Sequence, residues 1–422
     1  MRFLFTIHNF FPEPIFGAEK VCIQQMRVLL KRGHKVGVFY PCKSPVSPTQ
    51  LAEHGLEGLE LYRTNFLKTK AQVLLSAWKP HISKQFASAI DDFTPDAIVF
   101  HHLLRLSLDL PSVAHSRGIP TAYYLHDFYF VCPSYSLLTS DGKICKGGGL
   151  LKCPQCLYSS RFKASIGAYL AAVLFGLPFM LLRDLFIKRL EFNIDLFVSP
   201  SRFLIEELNR NGFPCPSHVI IPYGGHGKAI PNKRSYSDKI RFGYIGNIAA
   251  KKGIDILVKA FRDLPEAYLV IRGFPDQNSL DSFRKKFPGF EATLELFDTN
   301  KESFYYNIDV LVVPSLWYEN QPNVIIEAFN RGKVVICSNL GGMAEMVQDQ
   351  RGGLLFSPGD SDDLRDKVKF LVENPAEVER LASSVPQWPT AQEQADRLME
   401  ALDRISSARC GNKLTENSSQ PN

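Results

Sequence analysis

Short apolar segments alternate with longer segments in which apolar residues recur at helical spacing along most of the chain. The short segments have the length of buried strands, and the longer ones have the pattern of helices that pack on a sheet. This alternation is typical of βα units and predicts a mostly parallel sheet. In the first half, we predict strands at 3–8, 34–40, 97–100, 121–125, 196–199 and 219–222, and helices at 17–31 and 201–209.

A segment rich in Gly, Pro and Lys at 223–239 resembles a linker, and the pattern restarts after it. There we predict strands at 240–245, 268–271, 293–297, 310–313 and 334–337, and helices at 253–262, 322–330 and 361–372. Two such halves predict an α/β protein with two doubly wound Rossmann-like domains that face each other across a cleft, at the carboxyl ends of the strands. The expected parts are a first domain at 1–225, a second at 235–385, a C-terminal helix at 386–405 and a disordered polar tail at 406–422.

Composition narrows the class of protein further. A chain of 422 residues is longer than a single hydrophobic core usually supports. Its composition, with 45% hydrophobic and 22% charged residues, excludes a disordered chain. A net charge of +6 over this length is too weak to indicate nucleic-acid binding. The first residues lack the long apolar stretch of a signal peptide, and nine cysteines, an odd number, fit reduced thiols. We therefore expect a cytoplasmic protein without a nucleic-acid partner.

The segment 310–328 is the most informative part of the sequence. An apolar strand is followed by a polar loop, and Pro322 suits the first turn of the helix expected next. The start of such a helix favours anions because its backbone N–H groups are free. Glu319 in the loop and Glu327 in the helix could contact one ligand. The alternative is an exposed loop acid and a helix-surface acid with no shared role.

The order of residues in this segment resembles the signature of the retaining family 4 glycosyltransferases, which have the GT-B fold. The two glutamates stand in Trp-Tyr-Glu-x-x-Pro-x-x-x-x-Glu-Ala, from Trp317 to Ala328. Four other segments resemble further motifs of the family and occur in the expected order. They are 14–19, ending Gly-Ala-Glu; 124–127, Tyr-Leu-His-Asp; 243–253, from Gly to Lys-Gly; and 341–345, Gly-Gly-Met-Ala-Glu.

The resemblance implies a role for each of several side chains. Lys252 would neutralise the donor diphosphate, Glu327 would bind the ribose hydroxyls, and Glu319 would bind hydroxyls of the transferred sugar. His126 would reach that sugar from the first domain, and Gly17 would let the backbone approach the donor. These residue types suit the chemistry, because an ammonium pairs with phosphate and carboxylates accept hydrogen bonds from hydroxyls. The resemblance also places Gly246, Asn247 and Asn323 in the donor site.

The chain departs from the family pattern at a few positions. Asn247 stands where the family often has an arginine, so Lys251 would have to supply the second positive charge. Phe16 and Phe274 each replace a usual glycine, and Gln321-Pro322-Asn323 replaces the commoner Phe-Gly-Leu. We expect these changes to affect the identity of the donor more than the fold.

An insertion at about 127–190 adds two features that the basic fold does not need. The first is a group of four cysteines within 25 residues: Cys132, Cys145, Cys153 and Cys156. The last two form a Cys-x-x-Cys pair, so the four thiolates could hold a structural zinc ion. Free or redox-active thiols and an iron–sulfur cluster are the alternatives.

The second feature is an uncharged apolar segment at 164–182 with basic residues on both sides. Its length would allow a membrane span. However, the strands before and after it belong to one sheet, so the segment must return to the side it entered from. We expect a re-entrant hairpin broken at Pro178 or an interfacial helix anchored by its basic flanks, with a buried core helix as the alternative.

Together these patterns predict a retaining glycosyltransferase that uses a nucleotide diphosphate sugar and needs no catalytic metal. The expected acceptor is a lipid-linked or glycan molecule of polysaccharide or glycoconjugate biosynthesis, and the expected location is the inner face of the cell membrane. Two other functions stay open: a nucleotide-sugar epimerase of the same fold, and a non-catalytic nucleotide-sugar-binding membrane scaffold.

Overall fold

The computed structural model divides the chain into two compact units. The first unit combines Met1–Gly224 with Ala391–Asn422, and the second comprises Gly225–Thr390. The division lies beside the boundary predicted at residue 225, but the C-terminal helix belongs with the first unit. The structure describes residues 1–65, 77–159, 166–225, 239–298 and 300–417. Most of the linker predicted at 223–239 therefore lies outside the described residues.

The first unit is built on a parallel sheet whose strand order in the described residues is β3-β2-β1-β4-β5-β6-β7. Its central strands are apolar and buried on both faces, as expected of a parallel sheet covered by helices. Phe3 in β1 lies opposite Val36 on one side and Ala97 on the other. The strands are β1 Arg2–Thr6, β2 Lys35–Pro41, β3 Glu60–Thr64, β4 Ala97–Phe100, β5 Thr121–Tyr124, β6 Leu196–Ser199 and β7 His218–Ile220.

Two helices of this unit, Lys152–Ser159 (α5) and Ile166–Asn193 (α6), form much of the insertion. The backbone N–H of Phe16 donates to the carboxylate of Glu19 and so satisfies a free donor at the start of α1. The helices are α1 Gly17–Lys31, α2 Pro48–Glu53, α3 Pro80–Phe93, α4 Leu110–His115, α5 Lys152–Ser159, α6 Ile166–Asn193 and α7 Arg202–Arg210.

The second unit has a parallel sheet with the order β10-β9-β8-β11-β12-β13 in its described residues. Apolar side chains of its strands and covering helices form one buried core. The strands are β8 Arg241–Ile245, β9 Tyr268–Phe274, β10 Thr293–Leu296, β11 Val310–Val313, β12 Val334–Ser338 and β13 Gly353–Phe356. The helices are α8 Ile254–Phe261, α9 Gln277–Lys286, α10 Glu302–Tyr306, α11 Asn323–Phe329, α12 Gly342–Val347, α13 Ser361–Glu373 and α14 Pro375–Ser383, and a 3₁₀ turn spans Ala250–Lys252.

The last helix, α15, spans Ala391–Asn417 and packs on the first unit. Arg32 pairs with Asp396 at 2.5 Å, and Arg409 pairs with Asp195 at 2.6 Å. The predicted tail at 406–422 is wrong as far as Asn417, because the helix continues to that residue and the Arg409 side chain contacts the domain. Residues 418–422 lie outside the described part.

From residue 166 onward, the apolar insertion segment forms one continuous helix, α6, with Pro178 inside it, and residues 164 and 165 lie outside the described residues. The predicted hairpin is therefore wrong. Met180, Phe186 and Leu190 are buried, whereas Leu174, Leu181 and Leu185 are 69%, 49% and 48% exposed. These exposed leucines lie on one face, since they are spaced at helical intervals. In the part of the chain that the structure describes, no helix has the length and apolarity needed to cross a membrane.

Candidate active site

The loops after β8 and β11 bring together two lysines and a glutamate predicted from the motifs. Leu316 N–H donates to the Lys251 carbonyl at 2.9 Å, which joins the two loops. Gly253 follows the lysines with a φ of 77°, and a Cβ there would lie 1.7 Å from the Pro314 carbonyl oxygen. Only glycine fits at such a left-handed position against the backbone. Glycine at position 253 is thus required by the way the loops pack.

Glu319 accepts hydrogen bonds from three side chains, all on the same oxygen. Lys252 forms an ion pair with Oε1. Trp317 Nε1 donates to this atom at 2.7 Å, and Ser315 Oγ donates at 3.3 Å. No hydrogen bond from the described residues reaches Oε2. The carboxylate is therefore fixed in orientation, and its second oxygen can accept a hydrogen bond from a ligand.

The ammonium groups of both lysines lie over the indole ring of Trp317. The Lys251 ammonium lies 4.1 Å and the Lys252 ammonium 5.2 Å from the ring centroid, within the range of cation–π interactions. Burial, and then the neighbouring Lys252 charge, lower the pKa of Lys251. Glu319 offsets only one of these two positive charges. The site therefore has an excess of positive charge, which favours an anion.

Glu327, in the second turn of α11, is held by two side chains from α10 and the loop before it. Lys301 pairs with Oε1, and the Tyr305 hydroxyl donates to Oε2 at 2.9 Å. Burial, followed by the nearby Glu327 carboxylate, raises the pKa of Tyr305, so its hydroxyl stays protonated and donates. Neither Lys301 nor Tyr305 could be predicted from the sequence, because no motif marks them.

The Gly-Gly motif supports the loop that carries Glu319. Gly342 N–H donates to the Glu319 carbonyl at 2.8 Å. A Cβ at Gly342 would lie 1.6 Å from the Asn320 carbonyl oxygen, so a side chain would push the loop away. This glycine therefore helps to fix the position of the Glu319 carboxylate.

The other predicted donor-site residues lie at the same end of this sheet. Gly246 N–H donates to the Arg272 carbonyl at 3.0 Å in the loop after β8. Asn247 is exposed, and its carbonyl oxygen accepts from the Tyr244 hydroxyl at 2.7 Å. Asn323 is the first residue of α11. The helix therefore begins one residue later than predicted.

Pro322 precedes α11 because its backbone is extended, with a ψ of 123°. The expected position of this proline in the first turn is thus wrong. Of the two unusual phenylalanines, Phe274 is buried and packs on Phe283 with ring centroids 5.2 Å apart, whereas Phe16 is 65% exposed. Phe274 therefore belongs to the core of the second unit.

In the first unit, the half-buried His126 takes part in a chain of polar side chains that are otherwise buried. It follows β5, and its Nε2 lies 2.9 Å from His101 Nδ1, which follows β4. The other ring nitrogen, Nδ1, lies 2.8 Å from the Tyr223 hydroxyl. His101 Nε2 lies 3.0 Å from Gln25 Oε1. The chain therefore runs from Tyr223 through both imidazoles to Gln25.

Both imidazoles in this chain are neutral. Burial lowers the pKa of His101 to about 3 and, with the neighbouring histidines, lowers the pKa of His126 well below its usual value. A neutral imidazole has one donor and one acceptor nitrogen. Because the Gln25 oxygen accepts from His101 Nε2, His101 Nδ1 accepts from His126 Nε2, and His126 Nδ1 accepts from Tyr223. His126 is therefore a fixed neutral group rather than a cation.

A second pair of histidines lies beside this chain. Leu104 N–H donates to His102 Nδ1 at 2.9 Å, so His102 Nε2 must donate to Asp127 Oδ2 at 3.2 Å. His8, after β1, lies 3.2 Å from the Glu19 carboxylate, and its ring centroid is 4.5 Å from that of His102. Of these histidines, His126 alone was predicted from the sequence. Histidines directly after three neighbouring strands were the signal that would have found the others.

Gly17 begins α1, and a Cβ built on it would meet no atom within 4 Å. The close backbone approach expected here stays a prediction.

The four insertion cysteines line one cavity of about 290 Å³ in the first unit. None of the four forms a disulfide with a described residue. Among the described residues, no group of three or more His, Cys, Asp or Glu side chains is arranged to hold a metal ion. Zinc ligation by these cysteines stays a prediction.

Comparison with known families agrees with the geometry of both units. Residues 15–223 match the family model described as Glycosyltransferase Family 4. Residues 227–388 match the model described as Glycosyl transferases group 1. The chain belongs to the family 4 glycosyltransferases. The family expected from the five motifs is therefore confirmed.

Two relatives illustrate the range of proteins that this glycosyltransferase resembles. An uncharacterized 42.6 kDa protein in the cps region of Klebsiella pneumoniae is 24% identical over 68% of this chain and 69% of its own length. A glycogen synthase of Mycobacterium tuberculosis is 22% identical over 93% of this chain and 91% of its own length.

Solved structures confirm the GT-B fold of this glycosyltransferase. Anabaena Alr3699/HepE in complex with UDP and glucose is similar with a TM-score of 0.63 and 17% identity, over 95% of this chain and 99% of that one. A putative UDP-N-acetylglucosamine 2-epimerase from Listeria monocytogenes is similar with a TM-score of 0.55 and 11% identity, over 95% of both chains. Because transferases and epimerases share the fold, the side chains must decide between them.

Proposed function

We propose that this glycosyltransferase moves a sugar from a nucleotide diphosphate sugar to a lipid-linked or glycan acceptor, with retention of anomeric configuration. The observation that carries the proposal is the cluster of Lys251, Lys252 and Glu319 on Trp317, with Glu327 fixed nearby on α11. The cluster combines excess positive charge with carboxylate acceptors. A sugar nucleotide carries both complementary groups, a diphosphate and vicinal hydroxyls.

The donor would bind by exchanging contacts within the second unit. Lys252 would move from Glu319 toward the diphosphate, and Lys251 would supply the charge that an arginine at position 247 gives in related enzymes. Glu327 would accept hydrogen bonds from the ribose hydroxyls. Glu319 would use its Oε2 atom to bind hydroxyls of the transferred sugar. The complex of Alr3699/HepE with UDP supports a uridine donor as the first to test.

In a retaining transfer, the acceptor attacks from the face that the diphosphate leaves. The acceptor hydroxyl gives its proton to a diphosphate oxygen, so no protein general base is needed. The protein contributes position and charge stabilisation instead. His126 would take part as a neutral group, because burial keeps its pKa well below the usual value. Both ring nitrogens have protein partners in the free protein, so His126 Nδ1 would exchange the Tyr223 hydroxyl for a sugar hydroxyl when the donor binds.

The acceptor side would contact an anionic membrane through α6. Leu174, Leu181 and Leu185 are exposed on one face of this helix, and Lys188 and Arg189 are exposed one turn further on. Each buried leucine contributes about 1.5 to 3 kcal/mol, and each cation near anionic lipid adds about 1 kcal/mol. A peripheral location on the inner membrane face would suit a lipid-linked acceptor in polysaccharide or glycoconjugate synthesis. The Klebsiella relative in the cps region supports that pathway class.

A thermal-shift screen of uridine, guanosine and adenosine diphosphate sugars tests the donor proposal. A true donor at 100 times its Kd should stabilise the protein by about 2.7 kcal/mol. The same donor, labelled in the sugar, should then yield a labelled glycoside on the acceptor. A change of configuration within the donor would indicate an epimerase, and donor binding without turnover would indicate a non-catalytic scaffold.

A further inference from the structure

Gln25, on α1, lies at the inner end of the hydrogen-bond chain that runs from Tyr223 through His126 and His101. The other groups of this chain can change their roles, because a neutral imidazole can carry its proton on either nitrogen and a tyrosine hydroxyl can donate or accept. The Gln25 oxygen, which lies 3.0 Å from His101 Nε2, can only accept. Gln25 therefore sets the direction of every hydrogen bond in the chain.

The two imidazoles can respond to Gln25 only by moving a proton between their nitrogens. The His101 ring is nearly parallel to that of Tyr124, at 12° with centroids 5.4 Å apart, and to that of His126, at 25° with centroids 5.1 Å apart. Packing on both neighbours holds the plane of this buried ring. Because burial keeps both histidines neutral, each ring has one proton to place.

The side chain of Gln25 is itself enclosed. Gln25 is 0% exposed, and its neighbours on the same face of α1, Cys22 and Leu29, are buried as well. The amide oxygen faces His101, and the amide nitrogen has no hydrogen-bond partner among the described residues. Turning the amide over would place its NH₂ group against His101 Nε2 and reverse the chain. The positions of the histidine protons therefore report the orientation of this amide.

We propose that Gln25 is a positioning residue that keeps the proton of His126 on Nε2, so that Nδ1 accepts a hydrogen bond from a hydroxyl of the transferred sugar. This inference rests on the role proposed above for His126. In the transition state of glycosyl transfer, as in glycoside hydrolysis, positive charge develops on the sugar ring. A hydroxyl that donates to an imidazole gains electron density and stabilises that charge, whereas a hydroxyl that accepts from an N–H group loses it.

Nitrogen NMR of the histidine rings tests the direction of the chain in the full-length protein without any donor. Ring nitrogens with and without a proton differ widely in chemical shift. We expect His101 and His126 of the wild type to carry their protons on Nε2. In Gln25→Met the acceptor is replaced by a thioether, which accepts only weakly. A buried N–H group without a partner is costly, so both protons should move to Nδ1.

Two variants serve as controls for Gln25→Met. Gln394 is also 0% exposed in the first unit, but its amide donates to the Tyr124 hydroxyl at 2.8 Å and not to a histidine. Gln394→Met should therefore leave the protons on Nε2. Gln25→Glu keeps an oxygen acceptor beside His101, so it should also retain the wild-type positions.

Transfer kinetics test what these proton positions do in the reaction. Gln25→Met should bind the free nucleoside diphosphate as tightly as the wild type, because that ligand has no sugar for His126 to contact. Its transfer rate should fall about 2- to 10-fold, the effect of one hydrogen bond of ordinary strength. Gln25→Glu and Gln394→Met should transfer at close to the wild-type rate.

Wild-type histidines with their protons on Nδ1, or unchanged proton positions in Gln25→Met, would overturn the control by Gln25. The wild-type spectrum decides the direction even if Gln25→Met does not fold. Displaced protons with an unchanged transfer rate would overturn the role of Gln25 in the reaction. A wild-type protein that transfers no sugar would refute the proposed function instead, and the NMR result would still stand.

Discussion

Removing the charge of Glu327 and removing that of Glu319 should change the affinity for the free nucleoside diphosphate in opposite directions. Glu327→Gln should weaken binding of the free nucleoside diphosphate, because hydrogen bonds to a charged acceptor are about twice as strong as those to a neutral one. For two ribose hydroxyls the loss is about 1 to 2 kcal/mol, or roughly 5- to 30-fold in Kd. Glutamine keeps the side-chain shape, so Tyr305 can still donate to it.

Glu319→Gln should instead strengthen binding of the nucleoside diphosphate. In the free protein Glu319 neutralises Lys252, and its charge also acts on Lys251. Removing that charge leaves both ammonium groups for the phosphates. For two charges about 4 Å apart, the attraction removed from the free protein is at most about 4 kcal/mol at an effective dielectric constant near 20. Transfer should nevertheless fall by about 100-fold or more, since a sugar contact made in the transition state is lost.

Isothermal titration with the diphosphate of the active donor, together with turnover of the labelled donor, measures both effects. Circular dichroism and thermal unfolding would confirm that each variant is folded. If Glu319→Gln bound the diphosphate as weakly as Glu327→Gln, or if both variants turned over at the wild-type rate, the assignment of the two carboxylates would be refuted.

Two further predictions concern the first unit. His101 has a pKa of about 3 in the folded protein against about 6.5 when unfolded, so the unfolded state binds more protons below pH 6.5 and stability is lost from there toward pH 3. From pH 7 to pH 5, this group should lower the free energy of unfolding measured in urea by about 2 kcal/mol. The total decrease should be smaller for His101→Gln than for the wild type, and equal decreases would contradict the buried neutral state. Replacing Leu174, Leu181 and Leu185 with serine should release the protein from anionic vesicles in co-sedimentation. The control Phe370→Ser, which changes an exposed side chain of the second unit, should leave the protein on the vesicles. A wild-type protein that stays in the supernatant would rule out the membrane contact.

Much of the fold could be predicted from the hydrophobic pattern, because central parallel strands are short, apolar and buried on both faces. The strands Ala97–Phe100, Leu196–Ser199 and Val310–Val313 have the predicted bounds. The edge strands Glu60–Thr64 and Gly353–Phe356 were missed. An edge strand pairs on one side only, so it tolerates polar residues and glycine that hide its pattern.

Errors in the helical regions have a similar physical origin. The proline at position 178 suggested a break, yet α6 continues through it, since packing of the helix can outweigh one lost hydrogen bond. The polar composition after 406 suggested disorder, although the Arg409 pair with Asp195 holds that part of the helix against the first unit. Both outcomes depend on tertiary contacts that local composition does not report.

Only part of the site could be predicted from the sequence, again because some of its contacts are tertiary. Glu319, Glu327 and Lys252 stand in recognisable motifs, and the structure pairs Lys252 with Glu319. Lys301 and Tyr305 contact Glu327 from α10 and the loop before it, so only the folded chain brings them together.

The anomeric configuration of the product tests the central claim most directly. The wild-type protein would be given its donor sugar nucleotide and a lipid-linked or glycan acceptor, and the new glycosidic bond would be followed by NMR. We predict a glycoside whose anomeric configuration equals that of the donor, with release of the nucleoside diphosphate. A product of inverted configuration would contradict the retaining mechanism, and an epimerised donor without any glycoside would contradict the transferase function itself.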